Sequence, residues 1–304
     1  MFPSRQTAAT TTRLFTDVVL PFGPAAYAAI MAATGHFLIG HAVVAIVAPA
    51  LRYGSRVTKE LLIAIWPLLF VAIGYDLMRF VRPIFVTPDR VAGCGVRRFE
   101  LALFGVGPDQ TLSDYFAIHH NAIFDLYFAV PYFGFILFAV LYGLYLFFAD
   151  RTRLRRFAWV LSVIYVSAFI VWLAFPVAPP WYVREHGCAI VADALPSAAG
   201  LLRVDRLIGI HYFQNFYAKS PDVFGAIPSL HCAYAMIGIA TSWRVATWRT
   251  WPVHVLYVCS MFAASVYLGH HWIVDGLAGW LTVWIAVLIV DRVAVRAASK
   301  PVTA

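Results

Sequence analysis

Apolar residues fall along this chain in blocks far longer than a soluble core needs. They are separated by short Arg and Lys clusters and by two long mixed stretches. The blocks run at about Ala25–Leu51, Leu61–Phe80, Ala122–Phe148, Phe157–Phe175, Pro228–Trp243, Pro252–Gly269 and Trp272–Val290. Each approaches the ~20 residues that a helix needs to cross a bilayer. The pattern therefore predicts an all-α polytopic transmembrane helical bundle of about six to seven spans. Residues 1–304 read as a single integral membrane domain.

Between the blocks the chain divides by character. Met1–Thr12 is Ser/Thr-rich and has no apolar signal-peptide core, and Leu14–Pro24 is expected along the membrane interface. Residues 1–24 are thus an N-terminal tail and interfacial segment. Residues 81–121 and 176–227 are two long outer-face capping segments, and residues 224–291 hold the helices expected to carry the chemistry. Connections of such length are commonly functional. Within the first, FELALFG predicts a half-buried helix lying on the membrane.

Composition agrees with the pattern: of 304 residues, 62% are hydrophobic and only 12% charged. The net charge of +8 raises the question of nucleic acid. The cations nevertheless sit in short loops (Arg52, Arg56 and Lys59; Arg151 to Arg156; Arg244 and Arg249) and in the tail at Arg292, Arg296 and Lys300. They form no aromatic-interleaved groove, so no nucleic-acid partner is expected. Short, cation-rich loops mark the cytoplasmic face. Both long segments then face a periplasm or an organelle lumen, in the plasma or inner membrane of a bacterium or a Golgi-like membrane of a eukaryote. Seven spans would leave the N-terminus outside.

The chemistry concentrates in Phe224–Asp275, which opens FGAIPSLHCAYAM and closes SVYLGHHWIVDGLAGW. Pro228 suits a first helical position, and the backbone N–H groups of Ser229, Leu230 and His231 would then favour an anion at the helix end. His271 and Asp275 are four apart, which on a helix is one face. A carboxylate accepting from one imidazole nitrogen fixes the tautomer and frees the other nitrogen to attack. His270 would point roughly 100° away and read as packing or second-layer support. An isolated histidine in an apolar helix is more often structural. Two histidine motifs emerging at one face are harder to dismiss. Asp76, Arg79 and Arg82 recur every three residues towards Pro83, as a polar stripe or an interfacial snorkelling girdle. Asp125, near His120 and one turn inside an apolar helix, calls for a cationic partner, for which Arg79 or Arg82 is the candidate.

These motifs resemble the type 2 phosphatidic acid phosphatase superfamily, whose second motif is close to Pro-Ser-x-x-His and whose third ends His-x-x-x-Asp. FGAIPSLH and YLGHHWIVD look most similar to the inositol phosphorylceramide synthase branch, the fungal aureobasidin-resistance proteins and their bacterial relatives. The resemblance implies His271 as nucleophile, Asp275 as its orienting partner and His231 as the acid that protonates the leaving oxygen. It also implies phosphate or substrate contacts from Ser229, Pro228, Arg82, Arg79 and Tyr267. Two departures stand out. The usual Ser-Arg ahead of the third motif falls on Ala264 and Ser265, and Tyr75 stands where a Lys precedes Arg82-Pro83.

The expected activity is transfer of a phospho-headgroup, inositol phosphate foremost, from a glycerophospholipid donor to a ceramide-like or other lipid alcohol through a phosphohistidine. Hydrolysis of a lipid phosphate or pyrophosphate is the alternative. Fewer cations suit a phosphodiester, which carries one negative charge. No cofactor, metal or obligate protein partner is expected, and activity should survive a chelator; a metal site would have to draw on His119, His120, His231 and His271 without Cys or carboxylate ligands at conventional spacing. A transporter would instead show repeated halves and helices broken at mid-membrane. Cys232 and Cys259 read as small buried hydrophobes. Cys94 and Cys188, one in each outer segment, are expected to pair, or else to remain two loop thiols.

Overall fold

The computed structural model describes residues 13–191, 194–220, 222–242 and 247–298. The tail Met1–Thr12, Trp243, Arg244 and Lys300 lie outside them. Among the described residues there is helix and no strand, apart from isolated bridges. In chain order the helices are α1 (Phe15–Ala33, opening with a π turn), α2 (Ile39–Gly54), α3 (Arg56–Phe85), α4 (Cys94–Phe104), α5 (Leu112–Ile118), α6 (Ala122–Phe133) and α7 (Phe135–Ala149). There follow α8 (Arg151–Ala174), α9 (Pro180–His186), α10 (Leu201–Ile208), α11 (Tyr212–Tyr217), α12 (Leu230–Ser242), α13 (Trp251–Tyr267) and α14 (Ile273–Ala298).

Four of these, α1, α3, α8 and α14, are long and apolar enough to cross a membrane, and α6 with α7 forms a fifth bent by 48°. Helices α2, α12 and α13 are apolar but shorter. The bend follows from local sequence. Pro131 withdraws a backbone donor near the end of α6, and Gly134 breaks the helical register.

Two expectations fail at the N-terminus. Ala25–Leu51 is not one span but a hairpin, reversed at Gly35 with φ +77°, a conformation that glycine adopts without a Cβ penalty. The chain before Pro24 is not a separate interfacial segment, because α1 already begins at Phe15. The hairpin closes at its open end, where Arg52 donates to Asp17 Oδ1 at 2.6 Å and to the Thr16 carbonyl at 3.1 Å. Its flank packs on α3, where Tyr27 Oη donates to Asp76 Oδ2 at 2.5 Å and His41 Nε2 lies 3.0 Å from the same oxygen.

One apolar core joins α3, α7, α8, α12 and α14 around Leu146, Ile164, Ile237 and Val283, all fully buried. A second joins α6, α10, α12 and α13 around Tyr132, Leu201 and Met261. The outer segments make a third, in which Val177, Tyr182 and Phe224 pack on Trp272. Cys94 and Cys188 are disulfide-bonded with their Cα atoms 5.5 Å apart, tying the two outer segments together. Cys232 is buried as expected, whereas Cys259 is exposed on α13. Parallel bridges Ala92–Val177 and Val177–Gly225 stitch three outer strands of chain side by side. The chain is an integral membrane protein with an all-α polytopic bundle.

Candidate active site

The third motif reaches its place through the end of α13. Gly269 adopts φ +76°, and the Ser265 carbonyl accepts the N–H groups of both His270 and His271, at 3.2 and 3.1 Å. A Cβ on Gly269 would collide with the Arg184 guanidinium. The turn therefore presents two consecutive histidines just before α14. His271 is not on the helix, as the four-residue spacing suggested, since α14 begins only at Ile273.

Asp275 sits in the first turn of α14, fully buried, and its Oδ2 accepts the Trp272 N–H at 2.8 Å. Glu100 of α4 accepts from the next two, Ile273 at 2.7 Å and Val274 at 3.3 Å. Two carboxylates thus cap the otherwise orphaned donors at one helix start, where the dipole favours negative charge. Burial nevertheless pushes the Glu100 carboxyl above its ordinary range.

His271 Nδ1 lies 3.0 Å from the Ala226 carbonyl and 3.6 Å from Asp275 Oδ2. The backbone carbonyl therefore accepts the hydrogen bond from Nδ1–H, and Asp275 stands behind it at ion-pair range. This corrects the expectation of a direct Asp275 hydrogen bond. Asp275 Oδ1 is buried with no hydrogen-bond partner among the described residues. With Nδ1 protonated, Nε2 carries the lone pair, and it faces His231 Nδ1 at 3.3 Å.

The helix of the second motif begins two residues later than expected. Pro228, joined to Ile227 by a cis peptide bond, precedes α12 rather than opening it. Ser229 caps the helix: its Oγ accepts from Cys232 N–H at 3.3 Å, and its own N–H donates to the Asp275 carbonyl at 2.9 Å. Ser229 is fully buried, so neither its hydroxyl nor its N–H is presented as an anion contact. His231 then projects from the first turn. Tyr132 stacks parallel to its ring at 4.0 Å, and Phe135 tilts against it at 4.5 Å.

Both histidines line a cavity of about 730 Å³. Its long walls are single helix faces: Leu61, Ile65, Leu68 and Ala72 of α3, Ile136 and Gly143 of α7, and Leu154, Leu161 and Tyr165 of α8. The second outer segment adds Lys219, Ser220 and Asp222 to its lining. From Leu61 to Tyr75 along α3 is roughly 21 Å at 1.5 Å per residue, the length of an extended lipid chain.

The remaining expected residues lie around this site. His270 lines the cavity, its Nε2 3.1 Å from the Ala198 carbonyl and its ring between Tyr132 and Tyr217. Burial lowers it to about 3, which keeps it neutral. Arg82 pairs with Asp222 at 3.4 Å and lies over the Phe224 ring. Arg79 pairs with Asp76 on the hairpin side. The partner of Asp125 is neither of these but Arg203 of α10, at 2.8 Å; Tyr267 Oη also donates to Asp125 at 3.0 Å, and His120 lies 3.4 Å away. Tyr267 is thereby tied into a buried polar network. Sequence reasoning missed Arg203, Tyr132, Glu100 and the Ala226 carbonyl. Among the described residues no group of three or more His, Cys, Asp or Glu is placed to hold a metal ion.

A helical membrane protein that brings two histidines, one oriented by a carbonyl and backed by a buried carboxylate, to the head of a chain-length apolar cavity is built for chemistry on lipids. The chain belongs to the PAP2 superfamily, whose family pattern matches residues 98–289. It is 31% identical over 246 residues to the phosphoinositol dihydroceramide synthase of Bacteroides thetaiotaomicron, covering 79% of each chain. It is 29% identical to the inositol phosphorylceramide synthase of Candida albicans, over 59% of this chain and 38% of that one. The catalytic subunit of that name from Saccharomyces cerevisiae is 32% identical over 59% of this chain and 44% of its own length. Against these two fungal relatives, then, the match spans less than half their length. No solved structure matches the chain significantly.

Proposed function

We propose that the protein transfers inositol phosphate from phosphatidylinositol to a ceramide-like lipid alcohol through a phosphohistidine. The observation that carries this is the 3.3 Å approach of His271 Nε2 and His231 Nδ1 at the head of the 730 Å³ cavity. His271 Nε2 attacks the phosphorus of the donor, the bond from phosphorus to the diacylglycerol oxygen breaks, and His231 delivers a proton to that oxygen. The acceptor hydroxyl then attacks the phosphohistidine while His231 takes its proton, and the P–N bond breaks to restore His271. Asp275, with one oxygen unpaired, stabilises the positive imidazole ring of the intermediate.

Ser229, Pro228, Arg82 and Tyr267 serve this site by holding its frame, and the phosphate meets the histidines at the head of the cavity, with Lys219 in its lining. Apolar walls and the aromatic outer segment keep water from the intermediate, which favours transfer over hydrolysis. The alternative, a lipid phosphatase, uses the same histidines with water as acceptor.

The site faces the periplasm or lumen. The basic ends of α2, α8 and α14 lie opposite the disulfide-linked segments, and a hairpin at α1–α2 returns the start of α1 to the basic side, which removes the parity conflict of seven spans. The test is to supply membranes containing the protein with labelled phosphatidylinositol and a ceramide. A labelled inositol phosphorylceramide product is expected, and it should vanish in His231→Ala and His271→Ala at unchanged expression. Rapid release of inorganic phosphate from phosphatidic acid with no transfer product would favour the phosphatase.

A further inference from the structure

A pair of phenols lies in the otherwise largely apolar part of the cavity. Tyr165 of α8 and Tyr234 of α12 both line it, and their hydroxyls are 2.7 Å apart. Tyr234 is three residues past His231 on α12, so it lies ~4.5 Å further along the helix from the reacting groups. Phe135 bridges the two levels, its ring 4.5 Å from that of His231 and 4.9 Å from that of Tyr234. Two phenols sharing one hydrogen bond retain one O–H donor and several acceptor lone pairs. That remaining capacity sits among Leu161, Phe135 and Leu230, where an unmet polar group is costly and a met one is selective.

We infer that the Tyr165–Tyr234 pair reads a hydrogen-bonding group on the acceptor lipid, next to its reacting hydroxyl. The inference rests on the phosphotransferase reading and specifies its substrate. With the acceptor hydroxyl at His231 and its hydrocarbon running down the faces of α3, α7 and α8, the pair meets the atoms two or three bonds from the reacting oxygen. An N-acylated amino-alcohol backbone carries an amide and a second hydroxyl there, which donate and accept. A simple long-chain alcohol carries only methylenes and leaves both phenols unmet. A site that hydrogen-bonds a substrate polar group rejects the analogue lacking it far more strongly than an apolar pocket rejects a missing methylene.

The test compares two acceptors, an N-acyl sphinganine and hexadecanol, each with labelled phosphatidylinositol, in purified protein reconstituted in phospholipid vesicles. The expected result is that wild type favours the amide acceptor in kcat/KM, and that Tyr165→Phe and Tyr234→Phe each lower that preference about ten- to a hundredfold. The double variant should lose little more than either single one, because the phenols act as a unit. Thermal unfolding of each variant in the same vesicles controls for folding, which an isosteric change should leave near wild type. An unchanged preference, or equal losses on both acceptors, overturns the inference while leaving the transferase reading in place. Absence of any transfer product in wild type overturns both.

Discussion

Replacing Gly279 by Ala tests whether the two histidine motifs are held in register by backbone contact. Gly279 is the place where α14 crosses the start of α12. A Cβ there would stand 3.3 Å from the Ser229 carbonyl carbon, closer still to its oxygen, and 3.5 Å from the Ala233 nitrogen. These are backbone atoms with no rotamer to yield. Restoring ordinary contact requires the Ser229 carbonyl to move by about 1 Å relative to α14. That motion pulls on the Ser229 N–H bond to the Asp275 carbonyl and carries His231, two residues on, away from His271. Overpacking of this kind costs about 1–3 kcal/mol of stability. A displacement of about 1 Å between reacting groups costs on the order of a hundredfold in rate. The assay is the initial rate of transfer per folded enzyme at saturating lipid, with thermal unfolding measured in parallel. Gly40→Ala, where a Cβ meets nothing within 4 Å, is the matched control. A Gly279→Ala enzyme with wild-type kcat and unchanged melting would refute the claim that this contact sets the distance between the histidines.

Arg203→Ala should destabilise the protein by about 3–5 kcal/mol, because it strips the cation from buried Asp125; an unfolding midpoint equal to wild type would contradict this. His270→Ala should slow transfer far less than His271→Ala, since His270 packs between two tyrosines and donates to a carbonyl; equal losses in single-turnover rates would reverse the assignment. Burial raises Glu100, so the stability its folded environment contributes is fully present below the ordinary carboxylate range and is lost as pH rises through the elevated value. Glu100→Gln should therefore flatten the fall in melting temperature with rising pH, and an unaltered slope would show that Glu100 is not its source.

Much of the architecture could be read from the run of apolar residues, because a bilayer demands long uninterrupted blocks. Where the reading failed, the reason is local. The Ala25–Leu51 block carries Gly35 and Gly40, and both were compatible with tight helix packing. Hydropathy does not register that one glycine turns back the chain. At the site, residue identity pointed to His231, His271 and Asp275, but their geometry depended on where helices begin. The spacing of His271 and Asp275 suits a helix face, yet Gly269 delays α14 until Ile273, and an i,i+4 pair became a turn and a cap. Asp125 announced its need for a cation without naming Arg203, which is 78 residues away in sequence. The Ala226 carbonyl left no trace in the sequence, since every residue has one.

That carbonyl belongs to the cap and not to the bundle. Ala226 directly follows Gly225, the last member of the stitched trio Ala92, Val177 and Gly225. The orientation of the His271 imidazole is thus set by a stretch of chain that belongs to the outer segments, which Cys94 and Cys188 join. A chain inserted in the membrane but not yet capped holds both histidines, with His231 packed on Tyr132 and Phe135 but the His271 imidazole without the carbonyl that orients it. On the proposed mechanism such a chain is unarmed. Assembly of the outer face then works as a safety catch, because a half-built enzyme surrounded by phospholipid has no aimed lone pair with which to cleave it.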